Sequence, residues 1–282
     1  MEEYNLRISS AKKVIQEADY IIIGAGAGLS TAAGLEYSGE NFKKNYKEYK
    51  ERYNFQDLYS ASFYPFETQE EKWAFWAKLI KLNRYNEKPL KLYQELYNIV
   101  NKKEYFVITT NVDGQFEKAG FDKDKLFIVQ GDYGFLQCED ACHNKLYYNE
   151  EMVEKWLKNT KNCKIPSDLV PKCPVCGKNM DMNLRKDANF VQDENWYNQS
   201  EKYEDFLNKI KENKVVLLEI GVGFNTPGII RFPFEQIVYN NLKSTLIRIN
   251  KDYPQTMLEI DSRAILFDED TNKIIGDLKE SK

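Results

Sequence analysis

Six short apolar runs recur along the chain, and helical or polar segments separate them. They are "YIII" (20–23), "EYFVITT" (104–110), "KLFIVQ" (125–130), "VVLLEIG" (215–221), "TLIRIN" (245–250) and "RAILFD" (263–268). Short runs rich in β-branched residues are typical of strands. Because their apolar residues are nearly continuous, both sides of each strand should be buried. The sequence therefore predicts an α/β fold with a parallel sheet and helices on both of its faces.

Two of the intervening segments have the marks of helices. The segment "TQEEKWAFWAKLIKL" is amphipathic, with Thr68 as a candidate N-cap and Glu71 three residues later. The segment "PLKLYQELYNIVNKK" has Pro89 near its first turn and lysines at its end, which suits the two ends of a helix.

Composition excludes several classes of protein. The hydrophobic content of 42% is enough for an ordinary core, and the net charge of −4 argues against nucleic acid as the main partner. No segment has the roughly 20 apolar residues of a membrane helix. The first residues, "MEEYNLRISSAKK", are acidic at the head and lack the apolar region of a secretory signal. We therefore expect a cytoplasmic protein that binds neither nucleic acid nor a membrane.

One interval breaks the alternation of strands and helices. Residues 136–195 contain all five cysteines and show little periodicity, so we predict a small inserted zinc-binding module there. The flanking segments 1–135 and 196–282 should form one discontinuous domain, with a loop and a helical insert over 36–100. Within that insert, residues 36–64 are dense in Tyr, Lys, Glu and Asn, and we predict a long, partly mobile connection.

Four cysteines fall into two pairs with the spacing of metal ligands. They are Cys138, Cys142, Cys173 and Cys176. Two thiolate pairs can complete a tetrahedral zinc site that stabilises a small module without a core of its own. His143 and Cys163 are competing ligands, and free buried thiols are the alternative. A site with four protein ligands has no open position, so the metal should be structural.

Glycines follow the first apolar run. Gly24, Gly26 and Gly28 precede small residues at helical spacing, where a backbone can approach a phosphate and the helix start attracts its charge. The third glycine of the usual dinucleotide fingerprint is missing, and no acidic strand end follows about 20 residues later. The loop indicates a bound dinucleotide without the usual hydride-transfer arrangement. A tight strand-to-helix turn is the alternative.

Polar side chains follow the second and third runs. Asn111 and Asp113 lie in "VITTNVDGQFEKAGF" (107–121), and Gln130 ends the next run. These residue types can hold a ligand by hydrogen bonds. Asn111 and Asp113 could instead cap the following helix, and Gln130 could be a solvated strand end.

Six motifs together resemble the sirtuin family in order and spacing. They are "GAGLSTAAGL" (26–35), "TTNVDGQFEKAG" (109–120), "VQGDYGFLQC" (129–138), "CPVCG" (173–177), "LLEIGVG" (217–223) and "RIN" (248–250). The resemblance covers most of the chain. It implies a large Rossmann-like domain that binds NAD as co-substrate, with a small module inserted that holds structural zinc.

The resemblance also assigns residues to NAD. They are Gly26, Ala27, Gly28, Leu29, Ser30, Asn111, Asp113, Gln130, Gly221, Gly223 and Asn250. The first five correspond to the pyrophosphate cradle, and Asn111 with Asp113 to the groups around nicotinamide and its ribose. Gly221 and Gly223 correspond to the adenosine side, and Asn250 to the adenine ribose.

Three departures separate this chain from the family's deacylases. Gln130 stands where they have a histidine that accepts a ribose proton, and glutamine cannot act as a general base. The only histidine, His143, lies in the cysteine-rich segment. The family's Pro-Asp-Phe-Arg motif is here "EYSG" (36–39), and the strand that clamps an acyl-lysine peptide is replaced by "NFVQDENW" (189–196).

This combination is similar to the macrodomain-linked (class M) microbial sirtuins. That resemblance implies a protein mono-ADP-ribosyltransferase with Asn111 and Gln130 as catalytic residues. It further implies a lipoylated carrier of the glycine-cleavage H type as acceptor protein and a macrodomain hydrolase as functional partner. A weak deacylase or lipoamidase that uses Gln130 with a water is the first alternative. A non-catalytic NAD or ADP-ribose sensor is the second.

Overall fold

The computed structural model describes residues 2–35, 39–85 and 88–279. Packing divides the chain into two compact units. The first unit comprises Met1–Ala33, Pro89–Gln130 and Glu194–Lys282, and the second comprises Gly34–Lys88 and Gly131–Asp193. The segment 36–38 of the "EYSG" motif lies outside the described residues.

The strands are β1 (Tyr20–Ala25), β2 (Glu104–Thr109), β3 (Leu126–Ile128), β4 (Gly131–Cys138), β5 (Tyr147–Tyr148), β6 (Met180–Leu184), β7 (Val215–Ile220), β8 (Thr245–Ile249) and β9 (Ala264–Phe267). The α-helices are α1 (Glu2–Glu17), α2 (Ala27–Ala32), α3 (Gly39–Asn45), α4 (Lys47–Tyr53), α5 (Leu58–Ser62), α6 (Gln69–Ile80), α7 (Lys91–Val100), α8 (Gln115–Lys118), α9 (Glu150–Asn159), α10 (Glu194–Lys209), α11 (Arg231–Asn240) and α12 (Thr271–Leu278). A π-helical turn covers Lys81–Tyr85, and 3₁₀ turns cover Lys123–Lys125, Ser167–Leu169 and Leu258–Arg263. In the part of the chain that the structure describes, no helix combines the length and apolar composition needed to cross a bilayer.

Each of the six apolar runs forms a strand of one sheet in the first unit, in the order β3-β2-β1-β7-β8-β9. All neighbouring strands in this sheet are parallel. The predicted parallel sheet is confirmed. The strand order reverses between β1 and β7, and in open parallel sheets such a switch point is where ligands bind, beyond the carboxyl ends of the strands.

This sheet is covered on both faces. Ile21 and Ile23 of β1 belong to one core, to which α1, α7 and α12 also contribute. Ile22, which lies between them, belongs to a second core with residues of α10 and α11. Successive side chains of a strand point to opposite faces, so the two cores lie on opposite sides of the sheet. Both faces are therefore apolar, which explains why the runs are continuous and do not alternate.

A buried ion pair lies within the sheet. Glu219 of β7 and Arg248 of β8 are partners in register, and neither side chain is exposed to solvent. Arg248 donates from Nε to Glu219 Oε1 at 2.7 Å and from Nη2 to Oε2 at 2.9 Å. Its Nη1 donates to Glu235 Oε1 at 2.8 Å and to the carbonyl of Gln255 at 2.5 Å. The guanidinium group of Arg248 thus donates a hydrogen bond to each oxygen of a carboxylate that is buried away from solvent.

The second unit corrects the expectation for residues 36–64. Its described part forms the three short helices α3, α4 and α5, whereas the sequence suggested only a long, partly mobile connection. Helices of this length are unstable in isolation. Here Tyr46, Tyr49 and Phe55 are buried, and their rings pack against Phe75 of α6. The tyrosines and phenylalanines of this segment therefore stabilise the helices by tertiary packing.

The remainder of the second unit is built on α6 and a small sheet. Thr68 Oγ1 accepts the backbone N–H of Glu71 at 3.3 Å, which confirms the predicted helix cap. Trp73 of α6 packs on Trp156 of α9, with 4.9 Å between ring centroids. Strands β5, β4 and β6 form an antiparallel sheet in that order. The predicted domain limits, with a zinc-binding insert over 136–195, stay a prediction.

We expect Arg248→Met to lower the free energy of unfolding by about 3–5 kcal/mol, because the buried Glu219 carboxylate loses both hydrogen bonds from Arg248 and keeps only Arg231, 3.7 Å away, as a charged neighbour. Urea denaturation followed by circular dichroism measures this loss. The double variant Glu219→Leu/Arg248→Met should recover only part of it, because the Glu219 charge is then removed as well, while Glu235 and Arg231 each lose a charged neighbour.

The matched surface control is Lys47→Ala. Lys47 pairs with Glu51 at 3.9 Å, and both side chains are largely exposed. This substitution should change the free energy of unfolding by less than about 0.5 kcal/mol. A stability of Arg248→Met equal to that of the wild type would contradict the role given to the buried pair.

Candidate active site and metal centre

The register of the parallel sheet aligns the strand ends that precede the predicted NAD residues. Across the sheet, Ile128, Thr109, Ala25, Ile220 and Ile249 are successive partners. Gln130, Asn111, Gly26, Gly221 and Asn250 follow these ends by one or two residues. They therefore share one edge of the sheet. With strands about 4.8 Å apart, the edge from β3 to β8 spans about 19 Å.

The loops after β1 and β7 are in direct backbone contact. A Cβ at Gly26 would lie 2.6 Å from the carbonyl oxygen of Gly221, and one at Gly28 would lie 2.7 Å from the Cα of Gly221. Gly221 has φ +62°, and a Cβ there would lie 2.4 Å from the nitrogen of Leu29. These three glycines are thus required by internal packing. Gly223 is different, because a Cβ there would meet no atom of the described residues within 4 Å.

The same contact uses several of the N–H groups that a phosphate cradle would need. Gly26 N–H donates to the carbonyl of Ile220, Gly28 N–H to that of Gly221, and Leu29 N–H to that of Gly26, each at 3.0 Å. Ala27 is exposed at the start of α2. The pyrophosphate role of this loop stays a prediction, and it now depends on groups other than these three amides.

Asn111 is held by both hydrogens of its side-chain amide. Its Nδ2 donates to the carbonyl of Gly26 at 3.0 Å and to the hydroxyl of Tyr93 at 3.2 Å. A backbone carbonyl can only accept, so the NH₂ group must face Gly26 and the Oδ1 atom must point away from it. Asn111 is only 8% exposed. The strand end thus presents an amide oxygen of fixed orientation.

Asp113 combines two roles. Its Oδ2 accepts the hydroxyl of Ser30 at 2.5 Å, and its Oδ1 accepts the N–H of Gln115 at 3.0 Å, at the start of α8. The alternative that the pair merely caps a helix therefore fits one oxygen of Asp113. It does not fit the side chain of Asn111, which is bonded to the loop after β1. Asp113 is 1% exposed, and its bond to Ser30 joins the loop after β2 to α2.

Tyr93, which was not predicted as a site residue from the sequence, completes this group. It lies in α7, is fully buried, and its hydroxyl is 2.8 Å from Ser30 Oγ. Burial and then the nearby charge of Asp113 hold the pKa of Tyr93 well above its ordinary value of 10.0. Tyr93 therefore remains a neutral hydroxyl. In the sequence it is one apolar position of an amphipathic helix, which is how a packing residue also looks.

Gln130 follows β3 at the edge of the sheet and is half-buried. The residue before it is fixed on both sides: Val129 N–H donates to the carbonyl of Thr109 at 3.0 Å, and the Val129 carbonyl accepts Trp196 Nε1 at 3.1 Å. The chain therefore stays beside β2 up to Gln130. This placement agrees with the predicted position at a strand tip beside Asn111.

Asn250 organises two loops. Its Nδ2 donates to the carbonyl of Val222 at 2.8 Å, and its Oδ1 accepts the N–H groups of Asp252 and Tyr253 at 3.1 and 3.0 Å. The side-chain amide thus joins the loop after β7 to the loop after β8. Its predicted contact with the adenine ribose stays a prediction.

Arg231, a buried cation next to these loops, was also not predicted as a site residue from the sequence. Arg231 is 2% exposed and donates to the carbonyls of Tyr253 at 3.0 Å and Gln255 at 2.6 Å. Its guanidinium carbon lies 4.5 Å from the ring centroid of Phe224. Arg231 therefore holds the loop after β8 and packs under an aromatic ring of the loop after β7.

The four predicted cysteine ligands converge in the second unit. Their sulfur atoms all lie within 4.8 Å of one another. The Sγ atoms of Cys138 and Cys176 are 3.6 Å apart, as are those of Cys142 and Cys173, and the cysteines are not in disulfides. Four sulfurs at about 2.3 Å from a tetrahedral Zn²⁺ would be about 3.8 Å apart. The donor set therefore fits zinc, and the clustering of the four sulfurs favours a metal site over separate buried thiols.

The competing ligands are placed differently. Cys163 is buried outside this group, and its pKa is raised, chiefly by burial. His143 Nδ1 lies 3.0 Å from Cys142 Sγ, while its Nε2 is 2.9 Å from the hydroxyl of Tyr147. The histidine thus lies beside the sulfur cluster, where it can interact with a ligand thiolate.

The segment "NFVQDENW" does not form a strand. Residues 189–193 are irregular, and α10 begins at Glu194. Both backbone groups of Val191 are bonded to side chains: its N–H donates to Gln137 Oε1 at 3.0 Å, and its carbonyl accepts Asn183 Nδ2 at 2.9 Å. These backbone groups are therefore not available to pair with an extended peptide.

Comparisons with known proteins agree with this geometry. The model of the Sir2 family matches residues 26–222. A protein from Staphylococcus aureus named "Protein ADP-ribosyltransferase" is 34% identical over 276 residues, which cover 98% of this chain and 88% of that protein. A protein from Fusarium oxysporum f. sp. cubense named "Probable bifunctional ADP-ribose hydrolase/ADP-ribosyltransferase" is 31% identical over 270 residues. These cover 89% of this chain and 43% of the fungal protein.

The fold is also that of solved structures. The crystal structure of a Sir2 homologue in complex with NAD superposes with a TM-score of 0.62 at 19% identity, over 96% of this chain and 91% of that one. At this identity the match concerns the fold alone. The family model covers well over half of the chain, and the S. aureus relative matches nearly all of it. The chain belongs to the Sir2 family.

Proposed function

We propose that the protein is an NAD-dependent protein mono-ADP-ribosyltransferase. In this reaction the bond between nicotinamide and ribose C1′ breaks, and a bond forms between C1′ and an acceptor atom of another protein. The observation that carries the proposal is Gln130 at the strand edge shared with Asn111. The only imidazole of the chain, His143, lies beside Cys142 and bonds to Tyr147.

The chemistry of this edge suits departure of nicotinamide. The reaction passes through a cation-like state at C1′, which needs a fixed electrophile and oriented dipoles more than a proton acceptor. Asn111 offers a fixed amide oxygen, and Gln130 offers an amide that can donate and accept hydrogen bonds. We assign both to the nicotinamide ribose. Asp113 supports the nicotinamide end, and the loops around Gly221, Gly223 and Asn250 take the adenosine side.

The acceptor is a protein, and we propose a lipoylated carrier of the glycine-cleavage H type. A carboxylate acceptor is already ionised at neutral pH and needs no base. The names of the S. aureus and Fusarium relatives support protein ADP-ribosylation. The Fusarium name also joins transferase and ADP-ribose hydrolase, which supports a macrodomain hydrolase as functional partner. We place the reaction in the cytoplasm, where thiolate ligands stay reduced.

The backbone of Val191 weighs against the alternative of a deacylase. Side chains of Gln137 and Asn183 already bond its N–H and carbonyl, so the peptide pairing that holds an acyl-lysine substrate lacks partners there. A passive sensor of NAD is disfavoured by Asn111 and Asp113, which an adenosine binder would not require. We propose further that the four clustered cysteines hold a structural zinc ion.

We expect the purified protein to contain about one zinc ion per chain, as measured by plasma mass spectrometry. Cys173→Ser should lose the metal and lower the melting temperature of the protein, because zinc stabilises a module with little core of its own. Cys163→Ser is the matched control and should retain zinc, since Cys163 lies outside the sulfur cluster. Full zinc occupancy in Cys173→Ser would refute the four-cysteine site.

We expect Gln130→Ala to slow ADP-ribosyl transfer by about 10²-fold, because the reacting ribose loses a group that positions it. The assay follows labelled NAD and nicotinamide release with a lipoylated carrier protein as acceptor. The melting temperature should stay unchanged, since Gln130 is only half-buried.

Gln94→Ala is the control, because Gln94 is exposed on α7. It should leave the transfer rate as in the wild type. Two results would count against the proposed function. One is transfer by Gln130→Ala at the normal rate. The other is rapid conversion of acyl-lysine peptides and NAD to O-acyl-ADP-ribose by the wild-type protein.

A further inference from the structure

The hydroxyl of Tyr93 connects three residues of the candidate site. It lies 3.2 Å from Asn111 Nδ2 and 2.8 Å from Ser30 Oγ, and Ser30 in turn donates to Asp113 Oδ2 at 2.5 Å. Tyr93 has no solvent exposure, and Ser30 and Asp113 are each 1% exposed. The group is therefore closed to water, and every bond in it must be made within the protein.

The direction of each hydrogen bond follows from the chemistry of the groups. Asn111 uses one amide hydrogen for the carbonyl of Gly26 and the other for Tyr93, whose oxygen therefore accepts. The single hydroxyl hydrogen of Tyr93 is then left for Ser30 Oγ. The hydroxyl hydrogen of Ser30 goes to Asp113, because a carboxylate only accepts. The donors thus run in one direction, from the amide of Asn111 to a carboxylate.

The ring of Tyr93 is fixed as firmly as its hydroxyl. It packs edge-to-face on Phe116, with 5.0 Å between ring centroids. The pKa of Tyr93 is held well above 10.0 by burial and by the charge of Asp113, so the hydroxyl keeps its hydrogen. Without that hydrogen, Ser30 Oγ would no longer receive a hydrogen bond, and the series of hydrogen bonds from Asn111 to Asp113 would be interrupted.

We propose that Tyr93 is a positioning residue for the transfer reaction, which acts through Asn111. By accepting the second amide hydrogen, its hydroxyl fixes the rotation of the Asn111 amide and keeps Oδ1 turned away from Gly26, toward the strand edge. The assignment rests on the proposed function only for its consequence on rate. The orientation of the amide itself is independent of what the protein catalyses.

The substitution Tyr93→Phe removes the hydroxyl oxygen and keeps the ring on Phe116. We expect it to lower kcat by about 10²-fold with little change in KM for NAD, because the reacting end of the site loses its geometry while binding elsewhere persists. The matched control is Tyr97→Phe, the same change one turn further along α7. Tyr97 is half-buried and packs edge-to-face on Phe121. This variant should leave kcat unchanged.

A double-mutant cycle with Ser30→Ala tests whether the residues act as one unit. Ser30→Ala alone should also lower kcat, because Tyr93 loses its acceptor and Asp113 its donor. The double variant Tyr93→Phe/Ser30→Ala should be little worse than either single variant, since each already breaks the same sequence of bonds. Fully multiplicative losses would show that the two residues act separately and would overturn the proposal.

The decisive measurement needs no turnover. In ¹⁵N nuclear magnetic resonance spectra, the side-chain NH₂ signals of Asn111, assigned by their loss in Asn111→Asp, should be slow to exchange with solvent in the wild type. In Tyr93→Phe one of the two hydrogens should shift and exchange faster, while Tyr97→Phe leaves both unchanged.

Unaltered Asn111 signals in Tyr93→Phe overturn the proposal, whatever happens to the rate. A wild-type rate in Tyr93→Phe, or an equal loss in Tyr97→Phe, overturns it as well. If the wild-type protein releases no nicotinamide with any acceptor while the Asn111 signals respond as described, the proposed function fails and the hydrogen-bonded arrangement stands.

Discussion

The backbone contact between the loops after β1 and β7 is the constraint on which the candidate site depends. Gly28 N–H donates to the carbonyl of Gly221, and a Cβ at either residue would overlap the other loop. These loops end the two strands between which the strand order reverses. Because Gly26 belongs to the same loop and accepts the Asn111 amide, the position of Asn111 is set by this glycine packing. The position of the polar side chains at this edge of the sheet thus depends on the close packing of glycines, which have no side chain.

Two buried polar groups in the first unit have partners for each of the atoms described above. The Asn111 amide, the Tyr93 and Ser30 hydroxyls and the Asp113 carboxylate form an ordered sequence of bonds. Within the sheet, Glu219 is satisfied in the same way by the fork of Arg248. A buried polar group without a partner destabilises a fold, whereas a complete network restricts it to one arrangement. The hydrogen bonds among Asn111, Tyr93, Ser30 and Asp113 therefore stabilise the fold near the strand ends and also set the orientation of the Asn111 amide.

The parts of the fold that the sequence predicts are those decided by local pattern. Continuous apolar runs identify strands buried on both faces, and Thr68 with Glu71 marks a helix start. Cysteine spacing identifies the sulfur cluster. The helices within 39–62 were missed, because each is too short to show a period and is stabilised by distant aromatic rings such as Phe75. Tyr93 was missed for a related reason: its hydroxyl acquires partners only when α7 packs beside the strand ends.

The titratable groups of the strand edge bear on the class of acceptor that we infer. Tyr93 stays protonated, and Gln130 and Asn111 do not titrate near neutral pH. Asp113 is 1% exposed, and its two oxygens accept hydrogen bonds from Ser30 and Gln115, which bind this carboxylate to the protein. This set of residues can orient and polarise a ribose but is poorly suited to deprotonate a hydroxyl. We therefore infer that the nucleophile arrives already reactive, which favours an ionised side chain of the acceptor protein over a neutral alcohol.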